Sequence, residues 1–510
     1  MSISSLARSN QKIEPNPTDI FLFQFASSPI HVISGIEAVL SLDGYSAINY
    51  FFWGHKTKYI HPLSKRGLIS SQEVPLELRE WVELAFKSKS FPVLLTSELK
   101  FDSVWVSVQF QYLREKIRTI ETIEELESIP REDIYPWPAI ANAISYATGD
   151  RYVRVKRPWV KFLIFQMLKS YLEVYSSSLV AVTESLNPEV IIYNGRFLHE
   201  RAVWDMCRAN NIPVKLFECM RDKYFLREEG FHDRVKNQNL MIAHWDKSSL
   251  DVNIKVKIAE EYFKGLQVKE NPYSTHGPSE NRIEARSYFV FFTSNDDETV
   301  GFWETWKEPL GNQFLILDRL TQIFESGLFG TLVIRIHPNT LNKPRSVQLR
   351  WKRWGGLKNT IVIPPQDGIS STLIAKSSLG VLSVGSTIGL QAAFESKPLL
   401  LVSNCNYDLL GAGNLAEDWQ SVISWLSRTY AGEKVIQDSM LASAKRGFFV
   451  MTAGSSMKHS KVGLHGWNNW EIENFCGVGV TRGKVLRILD EVAFRLLSSR
   501  IRQFVSNIVG

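Results

Sequence analysis

The tightest constraint on the fold is Val381–Val402, VLSVGSTIGLQAAFESKPLLLV, which fits a strand, a turn, a helix and a second strand into 22 residues. Leu379–Val384 is an apolar run that reads as a buried strand, and Leu399–Val402 is another. Between them Gly385, Ser386 and Thr387 offer a tight turn and a helix N-cap, and Ile388–Glu395 carries a helix that Lys397-Pro398 stops. A turn that opens a helix behind a parallel strand aims backbone N–H groups and the positive end of the helix dipole at one point, which makes an anion site. An ordinary βαβ unit capped by serine reads the same way from this stretch alone, so the surrounding chain decides.

A chain of 510 residues is too long for one core, and two or three domains are expected. A hydrophobic content of 44% supplies enough material to pack them. The net charge of +6 is mild for this length; it suits an anionic ligand or a membrane surface and does not call for nucleic acid. Cys207, Cys219, Cys405 and Cys476 lie far apart with no CxxC pair, so they read as free thiols of a reducing compartment. Residues 1–18 have no apolar core and read as a flexible leader. No uncharged apolar run approaches the roughly 18 residues of a membrane span, so a cytoplasmic location is expected.

Asp19–Phe25 and Ser46–Phe52 are apolar strands flanking a helical pattern over Ile30–Leu42, a βαβ opening. Val93–Thr96 and Ser103–Val108 read as short strands, and Leu76–Lys87 and Leu163–Ser185 as helices. Pro188–Tyr193 is a clear strand running into Asn194-Gly195-Arg196 and a helix; Pro213–Glu218 is the next, with a charged loop after it. The Pro-, Ser- and charge-rich stretch 265–286 reads as an interdomain linker. Beyond it come strands at Tyr288–Thr293, Leu332–His337 and Asn359–Ile363, an aromatic helix around Trp303–Phe324, and a helix at Ile369–Ser377. The expected fold is α/β: a Rossmann-like domain over 19–264, a second over 287–425, a cleft between them, and a mainly helical extension over 426–510.

Four loops of the second domain would line that cleft: Ser294-Asn295-Asp296, His337-Pro338, Pro364-Pro365 and Gly385-Ser386-Thr387. The order RIHPN, IPP, then SxxGxxxAxxxKP resembles bacterial GT-B-type glycosyltransferases of surface and capsule polysaccharide synthesis, including the sialyltransferase and polysialyltransferase group. SSPIHVISGIEA in the first βα unit and NGR followed by a helix, a strand and FE resemble the N-terminal half of such proteins. The resemblance implies a GT-B-like, metal-independent transferase with no cofactor. A nucleotide-sugar donor, with CMP among the candidate carriers, would be its substrate, and a glycan or lipid-linked glycan its acceptor. His337, Ser386 and Thr387 would then hold the donor phosphate, with Gly385 shaping the turn and Ser294 and Pro365 lining the site. Arg335 is two residues before His337 on the same strand face and is a second candidate cation, though a buried or surface pair accounts for it better. Gln391 stands where many such enzymes place a glutamate for the ribose hydroxyls, which leaves the nucleotide open.

A transferase also needs a base for the acceptor hydroxyl. Glu218 at the end of its strand is the first candidate; Glu229, in an acidic-acidic-glycine run, and His31, in the first βα turn, are others. Asp296-Asp297-Glu298 reads as a helix N-terminal charge cluster, and the resemblance to GT-B-type enzymes, which commonly dispense with a bound metal, implies none here. Val485–Val505 reads as a basic amphipathic helix that either closes over both domains or touches the inner face of an anionic membrane. Two rivals stand beside the glycosyltransferase: a polyol-phosphate transferase of the teichoic-acid type, and a non-catalytic glycan-binding or scaffold protein.

Overall fold

The computed structural model describes residues 18–24, 38–39, 42, 45–52, 93–96, 101–183, 185–220, 223–228, 233–267, 283, 287–295, 300–301, 306, 308–433 and 438–456. The first sheet contains β1 (Thr18–Gln24), β2 (Tyr45–Phe52), β3 (Val93–Thr96), β4 (Pro188–Tyr193), β5 (Val214–Met220) and β6 (Lys223–Arg227). The second contains β7 (Tyr288–Phe292), β8 (Thr331–Arg335), β9 (Thr360–Ile363), β10 (Gly380–Ser383), β11 (Leu399–Leu401) and β12 (Asn414–Leu415). A last short strand, β13 (Ser455–Ser456), returns to the first sheet and pairs antiparallel with β6.

In the first sheet the order is β13-β6-β5-β4-β1-β2-β3, and in the second β12-β11-β10-β7-β8-β9. All pairings in the second sheet are parallel, as are those from β3 through β5 in the first. Each sheet starts in its middle, grows to one side for three strands, then crosses back. This is the Rossmann order, with switch points between β1 and β4 and between β7 and β10. The molecule is therefore an α/β protein of two Rossmann-like sheets.

The second sheet is buried on both faces, which explains its continuous apolar strands. Phe289, Phe291, Leu332, Ile334 and Leu382 face one core, while Tyr288, Val290, Phe292, Val333 and Val381 alternate onto the other.

Between β3 and β4 lie α1 (Ser103–Lys116), α2 (Ile123–Glu127), α3 (Trp137–Thr148) and α4 (Pro158–Thr183). Ser103–Val108 is thus helix, not strand. Its alternating valines mimic a strand, but Asp102 caps the backbone N–H groups of Val104 and Trp105, and Val104 and Val108 face solvent. α5 (Leu198–Ala209) follows β4. α6 (Arg234–Lys247) and α7 (Val252–Gln267) follow β6 and pack, through Met241, Tyr262 and Phe263, on the core of the second sheet, although they precede the expected linker. The second half adds α8 (Gln313–Glu325), α9 (Arg345–Arg350), α10 (Ser371–Ser377), α11 (Thr387–Phe394), α12 (Trp419–Tyr430) and α13 (Ser439–Thr452). α8 begins ten residues later than the aromatic pattern implies, because Asn312 caps it. α12 runs through residue 425, the expected end of the second domain, and buries Val422, Trp425 and Leu426 in that domain's core. The helices expected at 30–42, 76–87 and 485–505 lie outside the described residues, apart from helical Ala38–Val39 and non-helical Leu42.

The two halves exchange side chains. Val300, just beyond β7, is buried in the core of the first half, and Tyr152, just beyond α3, packs against the core of the second. Asn142 donates to the Val300 carbonyl at 3.1 Å, and Glu127 accepts from the Gly301 N–H at 2.5 Å. Tyr152 meets Phe314 edge-on with centroids 5.3 Å apart, and Arg350 pairs with Asp150 at 2.5 Å.

Candidate functional site

Parallel pairing brings the loops after β9, β8, β7, β10 and β11 to one edge of the second sheet. At its switch point, between β7 and β10, a small crevice of about 20 Å³ is lined by Ser294, Asn295, Gly311, Gln313, Val384 and Ser403 from the second half, with Arg151 and Glu308. A neighbouring one of about 10 Å³ shares Ser294, Asn295 and Arg151 and extends to Thr340 and Lys343 on the β8 side.

The turn after β10 is built for close approach. Gly385 has φ +115, and a Cβ there would stand 2.7 Å from Cys405 Cβ. Ser383 Oγ accepts from the N–H groups of Gly385 (3.1 Å) and Ser386 (2.9 Å). Those two donors are therefore spent inside the turn. Ser386 occupies the N-cap position of α11, yet its side chain makes no capping bond. Simple capping does not account for this serine, which, like Thr387, is half-buried. Buried Tyr407 donates to the Ser386 carbonyl at 2.7 Å and fixes the turn from behind.

His337 follows β8. Its N–H donates to Thr293 Oγ1 at 2.8 Å, and its Nδ1 accepts from the Asn339 N–H at 3.2 Å, capping the short 3-10 turn Pro338–Asn342. That bond assigns the neutral ring's proton to Nε2, which makes Nε2 a donor. One strand, β7, separates the His337 and Ser386 strand ends, roughly 10 Å for two interstrand spacings. Ser294 sits above that strand; its N–H and C=O are both held by the Gln313 amide, at 3.2 and 3.1 Å.

Arg335 is placed otherwise than as a phosphate ligand. It is buried, with Nη1 donating to the Pro364 carbonyl at 2.6 Å and Nη2 to that of Asp367 at 2.9 Å. It fixes the loop that carries Pro365; burial pulls its pKa down, and the nearby Asp367 opposes this. Gln391 is buried one turn into α11; its amide N–H reaches Thr372 Oγ1 at only 3.4 Å, and its Oε1 has no hydrogen-bond donor.

In the first half, Glu218 lies within β5 opposite Phe225, in a hairpin that replaces the expected charged loop. Its carboxylate accepts from Tyr193 OH at 2.8 Å and from the Asn194 amide. Asn194 and Gly195 both take left-handed backbone, with φ of 54 and 72, at the end of β4. Glu229 and His31 lie outside the described residues. Two buried carboxylates of the first half were not singled out by any motif. Burial pushes Glu200, in the first turn of α5, up to about 8. Burial likewise raises Glu127 to about 7, against the Gly301 N–H and Arg151. Neither has a local sequence signature, since their burial is tertiary. Among the described residues no group of three or more His, Cys, Asp or Glu could hold a metal ion, and no helix is long and apolar enough to cross a membrane.

Fold and crevice together define a Rossmann-like α/β protein with a crevice at the switch point of its second sheet. No known family model matches the sequence, and no curated protein does. Solved structures give weak likenesses. KpsC from Thermosulfurimonas dismutans, a beta Kdo 2,4 transferase, is 12% identical over 50% of this chain and 78% of its own, with a TM-score of 0.34. The Streptomyces nogalater glycosyltransferase SnogD is 9% identical, with coverages of 88% and 99% and a TM-score of 0.26. The Neisseria meningitidis UDP-GlcNAc 2-epimerase bound to UDP-GlcNAc is 11% identical, with coverages of 84% and 97% and a TM-score of 0.26. At scores this low the fold rests on strand order and register.

Proposed function

We propose that the chain is a glycosyltransferase that moves a sugar from a nucleotide-activated donor to a surface-polysaccharide acceptor. The observation that carries this reading is the crevice at the β7/β10 switch point, lined by Val384 just before a turn whose Ser386 hydroxyl is not used for capping. In open α/β sheets such crevices bind nucleotides. The donor phosphate would take the Ser386 and Thr387 hydroxyls and the first N–H groups of α11. The Gln391 Oε1, buried without a donor, would accept from the ribose.

The acceptor hydroxyl attacks the anomeric carbon, its proton passes to a carboxylate of the first half, and the bond from that carbon to the phosphate oxygen breaks with the electron pair leaving on phosphate. His337 Nε2–H donates to the leaving phosphate oxygen. Such a donor, aimed where charge develops, contributes on the order of 10²–10³ in rate. Glu218, oriented by Tyr193 and Asn194, is the proposed base. We assign the reaction to the cytoplasm, with lipid-linked acceptors met at the inner membrane face.

The test is a thermal-shift screen of CMP-, UDP-, GDP- and CDP-linked sugars on the full chain, repeated with His337→Ala and Ser386→Ala. One donor class should stabilise the wild type and lose most of its effect in both variants. If no donor shifts the melt, the transferase reading fails and a non-catalytic role takes its place.

A further inference from the structure

We propose that Arg151, delivered from the first half, reads the ligand's anion at the β7/β10 crevice and is held in reserve by Glu308 until a phosphorylated ligand competes for its guanidinium. This rests on the transferase reading only for the identity of the anion, a nucleoside phosphate.

Arg151 lines both crevices at the edge of the second sheet. The turn that carries it is fixed on each side. Gly149 ends α3 in left-handed backbone, where a Cβ would stand 2.8 Å from Pro344 Cδ. Asp150 accepts from the Tyr152 N–H at 2.9 Å while pairing with Arg350, and Tyr152 packs on Phe314. The guanidinium is thus positioned before any ligand arrives. Its fork meets Glu308 unevenly, at 2.7 Å through Nη1 and 3.3 Å through Nη2. Burial, the largest single effect, would lower the Arg151 pKa, but Glu308, Tyr152 and Glu127 together outweigh it and the net direction is up. Glu308 keeps 27% of its side chain exposed, so a solute can reach the pair. A phosphate offers the same fork more acceptor oxygens and more charge than a carboxylate does. Exchange of partners would put the first half's cation on the second half's ligand, so binding would tighten the contact between halves. Lys343, lining the second crevice, adds positive charge, while Glu127 lies on the opposite side of the balance.

Substitutions at Arg151 and at Glu308 have opposite signs. By calorimetry on the full chain with CMP, UDP and inorganic pyrophosphate, Arg151→Gln should weaken binding roughly ten- to hundredfold. Arg151→Lys should recover only part, because it lacks the fork. Glu308→Gln removes the competitor at nearly constant shape and should tighten binding several-fold. A merely structural bridge would give equal or weaker binding in Glu308→Gln, and that result overturns the proposal even if Arg151→Gln fails to fold. Nucleotide binding by the wild type with no change in either variant sinks the proposal and leaves the transferase reading standing. Pyrophosphate binding that depends on Arg151, without nucleotide binding, does the reverse. Binding of no anion at all ends both.

Discussion

Replacing Glu127 by glutamine should abolish one specific pH dependence of stability. Glu127 closes α2, is 3% exposed, and holds the Gly301 N–H across the contact between halves. Burial raises its pKa from the usual 4.5 to about 7 in the folded protein. The stabilisation that comes from keeping the proton is complete below about 4.5, where both states hold it. It declines as pH rises, because the unfolded chain sheds the proton first, and it is lost once pH passes about 7. A shift of this size corresponds to about 3 kcal/mol. The substituted amide would keep an acceptor for Gly301 and never ionise. Urea unfolding of wild type and Glu127→Gln at pH 4.5 and pH 8 reads the difference, since titrations not coupled to Glu127 cancel. The variant should gain up to about 3 kcal/mol on the wild type between the two pH values. A gap that stays constant, or one that moves in the wild type's favour, would refute the assignment of a raised pKa to this carboxyl.

Three further outcomes follow from the site. Gly385→Ala forces left-handed backbone and a 2.7 Å approach to Cys405 Cβ; a loss of about 2–4 kcal/mol in thermal or urea melts, with weakened nucleotide binding, is expected. Arg335→Met strips the donors from the Pro364 and Asp367 carbonyls and should cost about 2–4 kcal/mol in melts. It should leave the salt dependence of nucleotide affinity unchanged; a shallower salt slope would make Arg335 a phosphate ligand after all. Glu218→Gln should lower kcat by about 10²-fold or more in a glycosyl-transfer assay; full turnover there, with loss in Glu200→Gln, moves the base to α5.

The sheets are legible in the sequence because their strands are apolar runs closed by turn residues. Pro188–Tyr193 begins and ends where the residues imply, and the serine turn opens α11 as its Gly-Ser-Thr implies. Ser103–Val108 reads as strand because β-branched alternation outweighs the Asp102 cap until the capping bonds are seen. The β5–β6 hairpin is hidden by the charged residues around it. Within the site, the loops can be placed on one sheet edge, but what each polar group is bonded to cannot. Arg335 becomes a loop brace and Ser383 the acceptor for two turn amides only once tertiary neighbours are fixed. Arg151, Glu127 and Glu200 carry no motif; distant residues give them their meaning.

The exchange of Tyr152 and Val300 bears on how such proteins can be recombined. A chimera that joins one half to a foreign partner between α7 and β7 would leave Tyr152 without the Phe314 ring and Val300 without its apolar seat. The transferable module is therefore a sheet together with its counterpart's docking residues: 137–152 must travel with, or be matched to, 300–314. Grafts that respect this pairing should stay soluble, and those cut only between the sheets should aggregate.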